Sequence, residues 1–299
     1  MKPHFFARTA LALVVSAGCA QAAIAAAGIP AQTVDAALHA RLPKDILAAG
    51  EMTAVNSGSF PPYQIIGDDQ SLEGASADLS DALGQVLGIK IRNETVNGLS
   101  GILSGIKSGR YQFAMGPIGD FPERQVSNDF VDYVQEFVVF AVPAGNPLHI
   151  NSLEDVCGKR IAVMAGGSAE KVMQQQAQDC VKAGKPAAIV QSYNDQPTST
   201  LAVRSQRADA FFSSQAPLTW FAAQTHGALA LAGMGHKNGF SDLFQGAVLP
   251  KGSVLTGVVR DGLQKLFDNG TYAQIMKKWG LEANMIKAPG VNLARKDVK

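Results

Sequence analysis

Cysteine is scarce in this 299-residue chain, with only Cys19, Cys157 and Cys180 present. None of them stands at zinc-ligand spacing from another Cys or His, and the five histidines (His4, His39, His149, His226, His236) are scattered. No metal centre is therefore expected. Runs of like charge are also missing: 26 basic residues are balanced by 25 acidic ones, which excludes nucleic acid and anionic membrane surfaces as natural partners. There is no Gly-rich loop of the Lys-Ser/Thr kind that cradles nucleotide phosphates. Neither a nucleophile–base pair nor a metal cluster is evident, so no cofactor and no catalytic residue is expected. Beyond the first two dozen residues, no apolar stretch approaches the ~20 residues of a membrane span.

What is present begins with an export signal. Lys2 and Arg8 give a basic start, Thr9 to Ala17 is a short apolar run, and Ala20-Gln21-Ala22 is a small-residue cleavage site. Residues 1–22 are thus expected to be removed, with a second Ala-rich option near Ala26, and the mature chain is expected in the periplasm. Cys19 raises lipid anchoring, but Ser16 occupies the place where lipoprotein signals carry an aliphatic residue, and this disfavours it. Without Lys2 and Arg8 the basic count falls from 26 to 24, against 25 acidic residues. Cys157 and Cys180 remain, an even number in a compartment that permits oxidation, and one bridge is expected. The other reading is two separate buried thiols.

From Glu51 onward, short strand-like runs alternate with helical periodicity, which predicts an α/β fold with mainly parallel pairing. Met52 to Val55, Gln112 to Met115, Arg160 to Met164, Ala187 to Gln191 and Ala208 to Phe212 read as strands. Leu79, Ala82, Leu83, Val86 and Leu87 fall at helical spacing and stop at Gly88. A second helix runs from Asn97 to Ser108-Gly109. Further helices are expected over Ala169–Cys180, Thr198–Gln206 and Ala216–Gln224, and a helical pair over Leu255–Trp279. Phe137–Val142 and Gly246–Leu249 are apolar throughout and mark a double crossover between two lobes, 23–138 with 246–299 and 139–245. Residues 23–44 and 287–299 have weak periodicity and are expected to be loosely held.

Several strings, in order, resemble the family 3 periplasmic solute-binding proteins of amino-acid ABC transporters, over about Gly50 to Leu281. They are Ser59-Phe60-Pro61-Pro62-Tyr63, Gly74 to Leu79, Ser100 to Gly109, Pro122-Glu123-Arg124, Gly158 to Val163, Arg207-Ala208-Asp209-Ala210, Leu249 to Ser253, and Asn269-Gly270-Thr271-Tyr272 through Gly280. The resemblance implies a type II periplasmic binding protein fold, two α/β lobes joined by two crossover strands. It also implies a monomer that binds an amino acid or related small carboxylate and delivers it to a membrane permease. Cys157 beside Gly158, with Cys180 on the next helix, is similar to a subset with a second-lobe disulfide, as is Asp129-Phe130-Val131-Asp132-Tyr133.

The resemblance assigns the solute carboxylate to Arg124, whose guanidinium can form a bidentate, charge-assisted pair. Gly166-Gly167-Ser168 joins a strand to a helix, so Gly167 and Ser168 either offer backbone N–H groups to the same anion or form an ordinary capped turn. Phe60 and Leu99 fall where the family has walls against the solute side chain, though both also suit a core. Pro117 belongs to the same implied set. Asp78 and Asp209 are implied to brace structure.

The departures are informative. Ser214 stands where the family usually carries an acid for the α-ammonium group. Gly119 and Phe121 replace hydroxyl residues, and Met164 replaces a lysine. Either Asp120 or Glu73 supplies the missing negative charge, or the solute lacks a free α-amine. Phe60, Phe121 and Met164 suggest a largely apolar lining. A competing reading is an exported, dehydratase-like enzyme with Glu73 or Asp120 as general acid or base.

Overall fold

The computed structural model describes residues 28–294. The expected export signal, both cleavage options and Cys19 lie outside the described residues. Within them, the helix Ala75–Leu87 shows how pattern becomes packing. Leu79, Ala82, Leu83, Val86 and Leu87 share one face and are buried. They meet Val258, Leu263 and Leu266 of the helix Val254–Asp268, and Met276 of the helix Thr271–Lys278. Each such side chain contributes about 1.5–3 kcal/mol by leaving water. Gly88 ends the helix at φ +66°, a left-handed conformation that costs glycine nothing.

Two sheets organise the chain. The larger has six strands in the order Met285–Val291, Asn128–Glu136, Leu243–Pro250, Phe113–Gly119, Glu51–Asn56, Lys90–Thr95. The smaller has five, in the order Ile189–Tyr193, Arg160–Met164, Ala210–Ser214, Val138–Pro143, Leu229–Ala232. The expectation of mainly parallel pairing needs correction. Glu51–Asn56 runs parallel to both of its neighbours, as does Arg160–Met164 to its own. Every other pairing within the two sheets is antiparallel. The physical cause is chain path: strand–helix–strand units give parallel neighbours, whereas strands adjoining a passage between sheets arrive reversed.

The chain leaves the larger sheet after Glu136 and enters the smaller one at Val138, so Phe137 alone makes the first passage. Gln215 N–H donates to the Phe137 carbonyl at 2.7 Å. The return lies between Ala232 and Leu243. There Asn238, at φ +46°, donates its Nδ2 to the carbonyls of Val138 (2.7 Å) and Gly233 (2.8 Å), tying one passage to the other. Asn tolerates that backbone conformation better than most residues. Asp209 anchors the smaller sheet by pairing with Arg160. Asp78 accepts from Trp279 Nε1 (2.6 Å) and Lys278 Nζ (2.8 Å) in the larger body. Cys157 and Cys180 form a disulfide between the turn before Arg160–Met164 and the helix Ser168–Lys182.

The described parts of the segments expected to be loose, 28–44 and 287–294, are packed. Asp35 caps the short helix Ala36–His39 by accepting from Ala37 N–H and Leu38 N–H, and Leu38 and Leu42 enter the main core. At the other end, Met285–Val291 pairs with Asn128–Glu136, and Asn292 Oδ1 accepts from Phe130 N–H at 2.8 Å. Tertiary contacts supply what local periodicity lacks in both places.

Glu136, at the first passage, is almost fully buried and accepts from Tyr63 Oη–H (2.7 Å) and Asn284 Nδ2 (3.0 Å). Burial pushes its pKa up to about 7, a rise only partly opposed by the Tyr63 hydroxyl and the backbone N–H groups of Ala216 and Phe137. Asp132 is also raised, by burial and by neighbouring Asp120. An unfolded glutamate ionises near pH ~4.3. Above that pH the folded protein therefore holds a proton that the unfolded chain has released, until pH passes the folded pKa. Stability is accordingly expected to fall as pH rises from about 4.5 to about 7, by on the order of 2–3 kcal/mol for Glu136. Thermal melts across that range should show the decline, and Glu136→Gln should reduce its slope. A flat wild-type profile would refute this assignment.

Candidate functional site

Between the two sheets lies a cavity of about 760 Å³, including its open mouth. The larger body contributes Phe60, Pro117, Gly119 and Arg124, and the helix Gly98–Lys107 adds Leu99. From the smaller body come Met164, Gly167, Ser168 and Ser214. The expected ligand residues thus converge on one crevice, Asp120 excepted.

Arg124 spans the crevice. Its Nη1 donates to the Gly119 carbonyl at 2.8 Å and its Nη2 to the Gly166 carbonyl at 3.0 Å, one from each body. The guanidinium carbon lies 5.1 Å from the centre of the Phe121 ring. Burial lowers the pKa of Arg124, while Glu123 and Asp120 oppose that shift; a guanidinium stays protonated under such conditions. Beside it, Glu123 and Lys171 make a second link between the bodies at 2.6 Å, with both side chains largely exposed.

Gly167 is the N-cap of the helix Ser168–Lys182 and carries no side-chain cap, so the turn is not capped by Ser168. The first-turn N–H groups of a helix have no partner within it and favour an anion. Glu170 in that turn already accepts from Gly166 N–H at 2.7 Å. Phe60 stacks on buried Tyr63 with ring centres 5.9 Å apart and presents its free side to the cavity. Gly119 leaves room for Phe121: a Cβ there would stand 2.4 Å from that ring.

Three expectations are corrected. Asp120 does not line the cavity; its carboxylate is buried and accepts from Gln125 Nε2 (2.7 Å) and Ala294 N–H (2.8 Å), which fixes the C-terminal segment. Glu73 is solvent-exposed on the short strand Leu72–Glu73 and does not line the cavity either. Phe121 packs against Phe240 and under the guanidinium instead of forming a wall. Neither acid therefore supplies the negative charge sought at this site. Arg124 is the sole charged residue among the described lining residues.

Residues that the pattern did not single out complete the lining. Gln64, Gln196 and Gln245 bring amides, and Ile102, Val138 and Leu243 add apolar wall. Gln64 Oε1 accepts from Ser57 Oγ at 2.9 Å, and Gln196 Nε2 donates to Ser213 Oγ at 3.0 Å. Glutamine in a strand, as at 64 and 245, or at the start of a helix, as at 196, carries no sequence signal of its own. The alternation of Leu243 and Gln245 on one face was the available clue.

Comparison with known proteins adds four findings. The family described as bacterial extracellular solute-binding proteins, family 3, matches residues 52–282. The arginine-binding protein ArgT of Corynebacterium glutamicum is 27% identical over 261 residues, covering 85% of this chain and 82% of that protein. The L-cystine-binding protein TcyJ of Escherichia coli is 26% identical over 224 residues, covering 74% and 79%. Among solved structures, an ancestral arginine-binding protein bound to glutamine shares 25% identity with a TM-score of 0.70, over 78% of this chain and 99% of that one.

Proposed function

Because the chain belongs to the bacterial extracellular solute-binding proteins, family 3, we propose that it captures an amino acid or related small carboxylate for the membrane permease of an ABC uptake transporter. Its fold is that of the type II periplasmic binding proteins, with two α/β bodies facing a shared crevice. The relatives named above are binding proteins for amino acids. The observation that carries the reading is Arg124, a guanidinium in the crevice that already touches both bodies.

The working division is one lobe of 23–138 with 246–299 and another of 139–245. A solute that joins Arg124 to the start of the helix Ser168–Lys182 binds the closed arrangement better than the open one. It shifts the equilibrium by that difference in affinity. The ligand set is Arg124 with Phe60, Leu99, Pro117, Gly119, Met164, Gly167, Ser168 and Ser214. The chain is taken as a periplasmic monomer without a cofactor, released by cleavage after Ala22. Catalysis is disfavoured because the lining offers no carboxylate, imidazole or thiol for proton transfer.

Calorimetry against a panel of L-amino acids, deaminated analogues and small organic acids tests the reading. A dissociation constant in the micromolar range or below, with the solute recovered unchanged, is the expected result. Conversion of the solute, or silence across the whole panel, would overturn it.

A further inference from the structure

The cavity lining is lopsided in charge. Among its described residues Arg124 is the one cation, and no carboxylate joins it. The start of the helix Ser168–Lys182, on the facing body, adds only positive potential. Neutral acceptors offer no substitute for a carboxylate. The carbonyls of Gly119 and Gly166 already accept from the guanidinium, so a second cation brought to either would meet a like charge. Gln64 Oε1 accepts from Ser57 N–H and Ser57 Oγ, the Gln196 amide is paired with Ser213 Oγ, and the Gln245 side-chain oxygen is sealed from the cavity. Ser214 differs from these: it is the N-cap of the helix Gln215–Gln224, lines the cavity, and makes no capping hydrogen bond with its side chain. A hydroxyl there accepts or donates but carries no charge.

Charge balance restricts what the closed crevice holds. A carboxylate with no other charge cancels Arg124 and leaves the site neutral. A free amino acid cancels the guanidinium in the same way but brings an ammonium group that finds no counter-charge, and an unpaired buried cation is costly. A dicarboxylate leaves its second anion equally unpaired. We infer that the crevice takes a monocarboxylate that carries no ammonium group, such as the 2-oxo or N-acyl counterpart of an amino acid, in preference to the free amino acid itself. This deepens the solute-binding reading and rests on it.

Calorimetry on the full mature chain, with L-leucine, L-phenylalanine and L-glutamine each set against its N-acetyl and 2-oxo counterparts, provides the test. At least one counterpart is expected to bind wild type at least tenfold more tightly than its parent amino acid, and the two arms show which uncharged group is accepted. Ser214→Asp adds a carboxylate to the lining at an N-cap, a place that suits aspartate. It should weaken binding of that counterpart at least tenfold and narrow or invert the preference. A free L-amino acid or a dicarboxylate from the wider panel binding wild type as tightly as the best ammonium-free monocarboxylate would overturn the inference and leave the broader function standing. An unchanged preference in a folded Ser214→Asp variant would also overturn it. The wild-type comparison stands even if the variant does not fold. If no carboxylate binds, the inference and the broader function both fall.

Discussion

Arg124→Ala is expected to weaken solute binding by at least about 30-fold, because truncating one member of a buried, hydrogen-bonded charge pair costs roughly 2–5 kcal/mol. The loss should be this large because the lining holds no other cation to take over the carboxylate. In the fold itself the side chain makes two hydrogen bonds, to the carbonyls of Gly119 and Gly166. Removing neutral acceptor contacts of that kind costs little where water can replace the donor. The melting temperature of the free protein should therefore move by only about 2 °C or less. Arg124→Lys should fall between the two, keeping the charge while losing the planar fork. Calorimetry and thermal melts on the same preparations separate binding from folding. An affinity within threefold of wild type in the alanine variant would remove Arg124 from the site.

Replacing both members of the bridge, Cys157→Ser with Cys180→Ser, is expected to cost the smaller body about 3 kcal/mol. The cysteines are 23 residues apart, and the chain entropy that the unfolded state gains when that loop is no longer closed sets the figure. Both lie between the two passages, so a urea titration should show an earlier transition for the smaller body with the larger one little changed. Cys180 is twelve residues up the helix from Ser168, roughly 18 Å at 1.5 Å per residue. Solute affinity should accordingly stay within about threefold under folding conditions. Thiol labelling of the denatured, unreduced wild-type protein should find neither cysteine reactive. Labelling at both positions, or an unaltered urea profile in the double variant, would contradict the prediction.

Legibility in the sequence followed the side chains. Helices whose apolar residues recur at helical spacing, such as Ala75–Leu87 and Val254–Asp268, could be read directly. So could the strands with continuous apolar runs, Arg160–Met164 and Val138–Pro143, to within a residue. The strand Asn128–Glu136 was hidden by its own acids, since Asp129, Asp132 and Glu136 are all buried against partners distant in the chain. Lys90–Thr95 is a largely polar edge strand and Met285–Val291 contains a proline, so neither carries a strand pattern. At the site, residues set in recognisable strings converge on the crevice, whereas Asp120 does not. An acid next in sequence to a cavity-lining residue can turn either way, and here Gln125 and the Ala294 N–H draw it inward.

The strand order of the larger sheet has a consequence for synthesis and export, in which the polypeptide emerges from its amino end. Leu243–Pro250 is wedged between Phe113–Gly119 and Asn128–Glu136, pairing with both. The first half of that sheet therefore waits, with its interior edges open, until residue 250 has appeared, while the intervening stretch can collapse as one continuous unit. A ribosome or translocon that pauses before that point holds an unfinished sheet.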